Sequence, residues 1–262
     1  MTRDVFWNNV EPGFAVNHDA VAVHLLRQAE SYLPKISLVA VDDETGEIVG
    51  HVLFTRSRIV PRADDSGAPA VEPVEVLTFG PLTVARDRQG QGIGRALLAR
   101  AFDEARRLGV SRGPGRREAV VTLGVPDYYP RIGFRRGSDF GLTFGGASFD
   151  ALLAYELTPG ALTGVSGDLE VDPAHSLITP EAANAFDDLF PVREPYTPTP
   201  IDTLAGRVSD EVLAAIKAED VKTVDDLTGL SQAEVEALPG ATAADVEAIR
   251  AALRAIGYPW GR

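Results

Sequence analysis

The chain has 262 residues, 45% hydrophobic and 24% charged, with 25 Gly and 18 Pro; this is ordinary globular composition, long enough for one or two domains with cores of their own. It contains no cysteine, which excludes disulfides, thiolate metal sites and a cysteine nucleophile, and its four histidines (His18, His24, His51, His175) show no H-x-x-x-H spacing, so no metal is expected. The net charge of −13 disfavours nucleic acid as the principal partner, no apolar run reaches the roughly 18 residues of a membrane span, and MTRDVFWNNVEPG has no apolar stretch of a secretory signal, so no membrane partner is expected and the cytoplasm is the expected compartment.

Residues 18–33 (HDAVAVHLLRQAESYL) read as a helix with Val21, Leu25 and Leu26 on one side, stopped by Pro34. ISLVAV (36–41) and EIVGHVLFTRSRIV (47–60) flank an Asp/Gly turn and form a hairpin. Residues 61–73 are a loop by composition. VEVLTFGPLTV (74–84) is a third strand, interrupted at Gly80-Pro81, where proline cannot donate to a ladder and a bulge or splayed strand is expected. RALLARAFDEARRLG (95–109) is a helix closed by Gly109. AVVTL (119–123) is a buried parallel strand, PDYYPRIGF (126–134) starts as a short helix, and further strands fall in 149–160 and 164–171. This order describes an α/β domain with a mixed central sheet and flanking helices.

Residues 191–200 (PVREPYTPTP) contain four prolines and read as a stiff linker. From 207 to 257 only helix signals appear: Ser209 before DEVLAAIK, Thr223 before VDDL, Ser231 with Glu234, Thr242 with Asp245, and Gly257 as a stop. The expected organisation is therefore a domain over 1–190, a linker over 191–205, and a small all-α module of about four short helices over 206–262.

Between the third strand and the following helix lies Gln89-Gly90-Gln91-Gly92-Ile93-Gly94. A dinucleotide fingerprint starting at Gly90 would need Gly at position 95, where Arg stands, and a Walker loop would need Gly-Lys-Ser/Thr, which the chain lacks. The pattern Q/R-x-x-G-x-G/A is matched by Gln89, Gly92 and Gly94. Residues 86–117 also hold nine arginines against Asp87, Asp103 and Glu104; this suggests either an anionic ligand or a solvated helix face balanced by acids elsewhere.

That loop resembles the acyl-CoA loop of the GNAT N-acetyltransferase superfamily, and GPLTVARDRQGQGIGRALL resembles the family's fourth strand and third helix throughout. The likeness extends from SLVAVDDETGEIVGHVLF through YYPRIGF to ALLAYELTPGALTGVSG, over about 1–190, and is nearest to a subgroup of largely unassigned bacterial N-acetyltransferases. It implies acetyl-CoA as cosubstrate, the backbone of Leu82, Thr83 and Val84 along pantetheine, and Gln89, Gly90, Gln91, Gly92, Ile93, Gly94 and Arg95 at the pyrophosphate, where N–H groups of a helix start meet an anion. Tyr128-Tyr129-Pro130-Arg131-Ile132-Gly133-Phe134 resembles the family's F-Y-E-K-L-G-F segment, which places Tyr129 on the tyrosine that protonates the departing thiolate. The family starts with a strand and the start of a helix, some twenty residues, ahead of the part that TRDVFWN resembles. The first strand is thus absent or encoded upstream. The Asn that many members carry after the fifth strand is replaced here by Gly124-Val125-Pro126-Asp127.

Without cysteine, direct attack of an amine on the thioester in a ternary complex is expected, with a backbone N–H near Val84 polarising the carbonyl and Tyr129 as acid. The general base is open: Glu75 on the third strand reads as a solvated glutamate, His51 as a satisfied core histidine, and water could relay the proton. The acceptor is a small-molecule or peptide amine, and a homo-oligomer is compatible with this reading. The alternative is a CoA-binding regulatory or adaptor protein on a degenerate scaffold of the same family. Residues 227–257 resemble the helix-hairpin-helix of the RNA polymerase alpha C-terminal domain, but the hairpin is Gly240-Ala241-Thr242 without the second glycine or a nearby base, and 201–262 carry 11 acidic and 6 basic residues. A protein partner through 206–262 is expected in preference to DNA.

Overall fold

A computed structural model of the chain describes residues 1–7, 13–61, 72–192, 199–230 and 232–256. The chain forms two compact units, one of residues 1–85 and 92–193, the other of residues 86–91 and 194–262.

The first unit is built on an eight-stranded sheet. Its elements are α1 (Thr2–Val5), α2 (Asp19–Leu26), β1 (Leu38–Val41), β2 (Ile48–Val60), β3 (Val74–Val84), α3 (Ile93–Leu108), β4 (Arg116–Leu123), β5 (Arg135–Arg136), β6 (Leu142–Thr143), β7 (Leu152–Glu156), β8 (Gly167–Glu170) and α4 (Pro180–Asp187). The sheet order is β5-β7-β4-β3-β2-β8-β6, with β1 added along β2. β1 and β2 form the expected antiparallel hairpin, and β3 and β4 are parallel, as strands joined through a crossover helix must be. The sheet is therefore mixed, with helices on it, as the strand order implied.

Alternation along β2 and β3 sorts the side chains onto two faces. Val52, Phe54, Leu77 and Phe79 pack under α3, which contributes Leu97, Leu98, Ala101, Phe102 and Ala105. These helix positions recur at three- and four-residue spacing, while Arg95, Ala96, Ala99, Arg100 and Asp103 face solvent. The opposite face carries Ile59, Val74, Val76, Ala119 and Val121 at one end and Leu53 under Val23 and Leu26 of α2 at the other.

Two expectations need correcting, at 18–33 and from 126, and the bulge expected at Gly80-Pro81 is present. The helix expected over 18–33 stops at Leu26, because the next residues bond across to β2: Leu33 N–H donates to the Phe54 carbonyl, Arg56 N–H to the Ser31 carbonyl, and Tyr32 bridges Thr55. Sheet pairing wins over helix propensity there. β3 runs unbroken through Gly80-Pro81; the irregularity takes the form of a register shift, with Val52 opposite Leu82 but Phe54 opposite Phe79, so β3 carries the extra residue of a bulge. The short helix expected from 126 is a single 3-10 turn, Tyr129–Ile132, ended by Gly133. Most of the loop expected over 61–73 lies outside the described residues.

The second unit holds α5 (Asp210–Ala218), α6 (Val224–Gly229), α7 (Gln232–Glu236) and α8 (Ala243–Ala255). Ser209 accepts from the Val212 N–H, and Thr223 with Asp226 and Thr242 with Asp245 form capping boxes. Leu204, Ile216, Val224, Leu227, Val235, Ile249 and Leu253 are its fully buried core. Ile201 and Leu204, expected in the linker, sit in this core on a 3-10 turn, Ile201–Leu204. Ser231, Gly257 and residues 193–198 of the linker lie outside the described residues.

Candidate functional site

The parallel register of β3 with β4 runs from Glu75/Arg116 to Leu77/Val120. Two threonines extend the contact by side chain, Thr78 donating to the Val121 carbonyl and Thr122 to the Phe79 carbonyl, both at 2.9 Å. Beyond Phe79 no strand pairing joins β3 to β4 among the described residues. Residues 80–84 continue along β2 alone, through Val52/Leu82, His51/Thr83 and Gly50/Val84. The bulge thus lies where β3 leaves β4, and it opens a gap on the β4 side of Leu82, Thr83 and Val84.

The N-terminus of α3 lies beside this gap. Gly92 is its N-cap, with φ 84°, and no side chain caps the turn. Four N–H groups at a helix start lack intrahelical partners, and the positive end of a 16-residue helix faces the same way. The first turn has no acidic residue. Among the arginines of α3, Arg100 and Arg107 pair with Glu104 at 2.8 and 2.6 Å, and Arg106 pairs with Asp103 at 3.0 Å; Arg95, on the first turn, is the one without an ion pair among the described residues. The arginine-rich segment is thus largely charge-balanced, with one cation left at the helix start. The local electrostatics favour an anion there.

The glycines of the loop serve different ends. Gly90 and Gly92 have φ of 75° and 84°, and a Cβ on either would meet nothing within 4 Å; backbone conformation selects them. Gly94 is chosen by space. A Cβ there would lie 2.9 Å from the Tyr128 hydroxyl, 3.5 Å from Leu82 Cδ2 and 3.6 Å from Val84 Cγ2. Tyr128 therefore reaches the helix start, and the side chains of Leu82 and Val84 border the same glycine. Its half-buried hydroxyl has no hydrogen-bond partner among the described residues, and burial raises its pKa although Arg95 acts against that rise.

Tyr129 is buried, with 8% exposure, in a ring cluster with Phe79 and Phe134 and edge-on to Tyr128 at 5.0 Å between centroids. Burial, then the neighbouring Tyr128, push its pKa well above that of an ordinary phenol, so it stays protonated. Its ring lies close against Gly124, one residue past β4: a Cβ on Gly124 would come within 2.2 Å of Tyr129 Cε2. Two glycines thus seat two tyrosines, Gly94 under Tyr128 at the helix start and Gly124 under Tyr129 at the end of β4. The sequence reading missed Tyr128 and the purpose of Gly124. The only cue was the adjacency of the two tyrosines, and nothing local said which way each ring pointed.

Of the expected site residues, Leu82, Thr83, Val84, Gly92, Ile93, Gly94, Arg95 and Tyr129 all belong to the first unit. Gln89, Gly90 and Gln91 group with the second, on a 3-10 turn, Arg86–Arg88, and its continuation, where the Gln91 amide donates to the Asp87 carbonyl. Leu82 and Val84 point toward α3, whereas Thr83, fully buried, faces the other side of the sheet. Glu75 is not a solvated glutamate: it accepts ion pairs from Arg56 at 2.6 Å and Arg116 at 2.9 Å. Among the described residues, no group of three or more His, Asp or Glu is placed to hold a metal ion, and no helix is long and apolar enough to cross a membrane.

Residues 5–113 match the family model described as the acetyltransferase (GNAT) family. Among solved structures, the chain is similar to the GNAT family N-acetyltransferase YhbS from Escherichia coli in complex with CoA, at 28% identity and a TM-score of 0.51, over 66% of this chain and 84% of that one. It also matches a GNAT family acetyltransferase from Brucella melitensis in complex with acetyl-CoA, at 25% identity and a TM-score of 0.42, over 66% of this chain and 89% of that one. No curated protein matches the chain. A parallel strand pair that parts at a bulge beside an uncapped helix start agrees with the match of residues 5–113 to the acetyltransferase (GNAT) family.

Proposed function

We propose that the first unit binds acetyl-CoA and transfers its acetyl group directly to an amine. The observation that carries this reading is the gap at residues 80–84, flanked by the open N-terminus of α3 and by the Tyr128 hydroxyl beside Gly94. The pyrophosphate sits on the N–H groups of the first turn, with Arg95 as counter-charge and Gly92 leaving the approach clear. The pantetheine arm takes the strand position that β4 vacates beside Leu82, Thr83 and Val84, and the Tyr128 hydroxyl meets it where it passes Gly94. In the reaction the amine nitrogen attacks the thioester carbonyl, the C–N bond forms and the C–S bond breaks. A backbone N–H near Val84 steadies the oxyanion, Tyr129, kept protonated by burial, gives its proton to the leaving thiolate, and the proton lost by the amine nitrogen passes to water, from which the tyrosinate is reprotonated. Titration calorimetry with acetyl-CoA tests the binding, and turnover of Tyr129→Phe tests the acid; an intact wild-type protein that binds no acetyl-CoA would refute the reading.

The second unit resembles a helix-hairpin-helix, and we read it as a module for a protein partner. The start of α8, where such a fold would hold a phosphate, is filled by the protein's own carboxylates: Asp245 accepts from the Thr242 N–H at 3.0 Å and from the Ser209 hydroxyl at 3.0 Å, and Glu211 lies against Gly240. A DNA phosphate would meet like charge there.

A further inference from the structure

His51 and Thr83 stand directly opposite each other on β2 and β3, on the sheet face turned away from α3. Both are buried, at 5% and 0% exposure, in a layer covered by α1 and α2. His51 Nε2 lies 2.6 Å from the Thr2 hydroxyl, so that nitrogen is engaged and the ring is fixed. The other nitrogen, Nδ1, is buried with no partner, and so is Thr83 Oγ1. Directly opposed residues hold their Cβ atoms about 4.5–5.5 Å apart, so the two atoms can share one small polar guest. Buried polar atoms are nearly always paired, so two unpaired ones on directly opposed residues point to a partner that they share.

Their position gives that guest a role. Thr83 lies in the segment where β3 has left β4, so its backbone borders the gap while its side chain reaches the far face. Resting on the acetyl-transfer reading, we propose that His51 and Thr83 form the acceptor side of the reaction: the Thr83 hydroxyl binds the incoming amine and His51 Nδ1 takes the proton released when the amine nitrogen bonds the acetyl carbon. The carbonyl carbon gains the nitrogen and loses the sulfur, the thiolate leaves with the tyrosine proton, and the imidazolium returns its proton to water.

The surroundings also select the amine. Burial first, then the charges of Arg27 and the N-terminus, lower the His51 pKa to about 4, so the ring is neutral at pH 7. The carboxylates of the covering helices are already engaged, Asp4 by the Met1 ammonium at 3.0 Å and Asp19 by the Asn17 amide at 3.0 Å, and Asp187 of α4 is held by Arg3 of α1 at 2.9 Å. Among the described residues no carboxylate there is left over for an ammonium, so the acceptor is a weakly basic amine with a larger uncharged fraction at pH 7, such as a peptide α-amino group (pKa about 8) or an arylamine, in preference to a lysine ε-amino group (about 10) or a polyamine.

The test uses the full chain with acetyl-CoA and four acceptors at pH 7: triglycine, an arylamine, Nα-acetyl-lysine amide and spermidine. Thr83→Val keeps the shape and removes the unpaired hydroxyl, so a purely structural pair would leave the thermal midpoint equal or higher and turnover unchanged. The expected result is that midpoint together with unchanged acetyl-CoA affinity and a roughly tenfold fall in kcat/KM for the amine. His51→Gln keeps a polar contact for Thr2 but cannot take the proton, and is expected to lower kcat about 10²-fold at constant KM for acetyl-CoA. Wild-type turnover in both variants, best transfer to spermidine or lysine, or transfer to none of the four by a protein that binds acetyl-CoA would overturn the proposal; absence of acetyl-CoA binding by the wild type would instead overturn the reading beneath it.

Discussion

Replacing Gly124 with alanine perturbs one contact and reports on the seat of Tyr129. The added Cβ would sit 2.2 Å from Tyr129 Cε2 and 2.7 Å from Cδ2, against about 3.5 Å for the closest comfortable carbon contact. The ring must therefore move by more than about 1 Å. It cannot turn freely in place, because Phe79, Phe134 and Tyr128 hold it at centroid distances of 5.6, 5.3 and 5.0 Å. Overpacking of this kind costs about 1–3 kcal/mol, which in a unit of this size lowers the thermal midpoint by roughly 2–10 °C. A hydroxyl displaced by 1 Å loses much of its value as an acid, so kcat is expected to fall about 10²-fold with little change in acetyl-CoA affinity. Thermal denaturation, calorimetry with acetyl-CoA and steady-state turnover of the one variant supply all three readings. A midpoint and a kcat equal to those of the wild type would show that the ring does not depend on Gly124 and would undo the assignment of Tyr129 through its seat.

Tyr129→Phe, which removes the acid and leaves the ring, is expected to lower kcat about 10²-fold while the Kd for acetyl-CoA by calorimetry stays put. Tyr128→Phe should do the reverse, raising the KM for acetyl-CoA by about tenfold with kcat nearly unchanged, since its hydroxyl faces the helix start and not the reacting atoms. Gly92→Leu places a side chain in open space at a φ of 84°; circular dichroism should show an intact fold while acetyl-CoA binding is lost. A chain ending at residue 193 should remain folded and bind acetyl-CoA, and residues 199–262 alone should show no salt-dependent retardation of duplex DNA at physiological ionic strength.

Much of the first unit was legible because its signals are local. The β-rich runs on either side of Asp42–Gly46, the helix formers from Arg95 onward and the αL glycine at 109 each carry their structure within a few residues. The capping boxes at Thr223 and Thr242 did the same for the second unit. What stayed hidden depends on distant partners. Residues 27–33 look helical until β2 claims their backbone groups, and Ile201 and Leu204 look like linker until Ile216 and Ile249 supply a core to enter. Glu75 reads as a surface acid until Arg56 and Arg116 arrive from other strands.

The site divides in the same way. The loop is legible through Gln89, Gly92 and Gly94, and a glycine chosen for its φ, as Gly90 and Gly92 are, can be inferred from a turn. The reason for a glycine chosen for the space it leaves stays hidden until its neighbour is known, and Gly94 and Gly124 are of that kind. Each vacates a place for a tyrosine more than four residues away, so the consequence of the glycine is visible only once α3, β4 and the 3-10 turn at Tyr129–Ile132 are brought together. His51 shows the same limit from the polar side. On the sequence a histidine inside an apolar strand reads as satisfied, and its Nε2 is. Only the register that sets it against Thr83 brings together two buried polar atoms without a partner among the described residues.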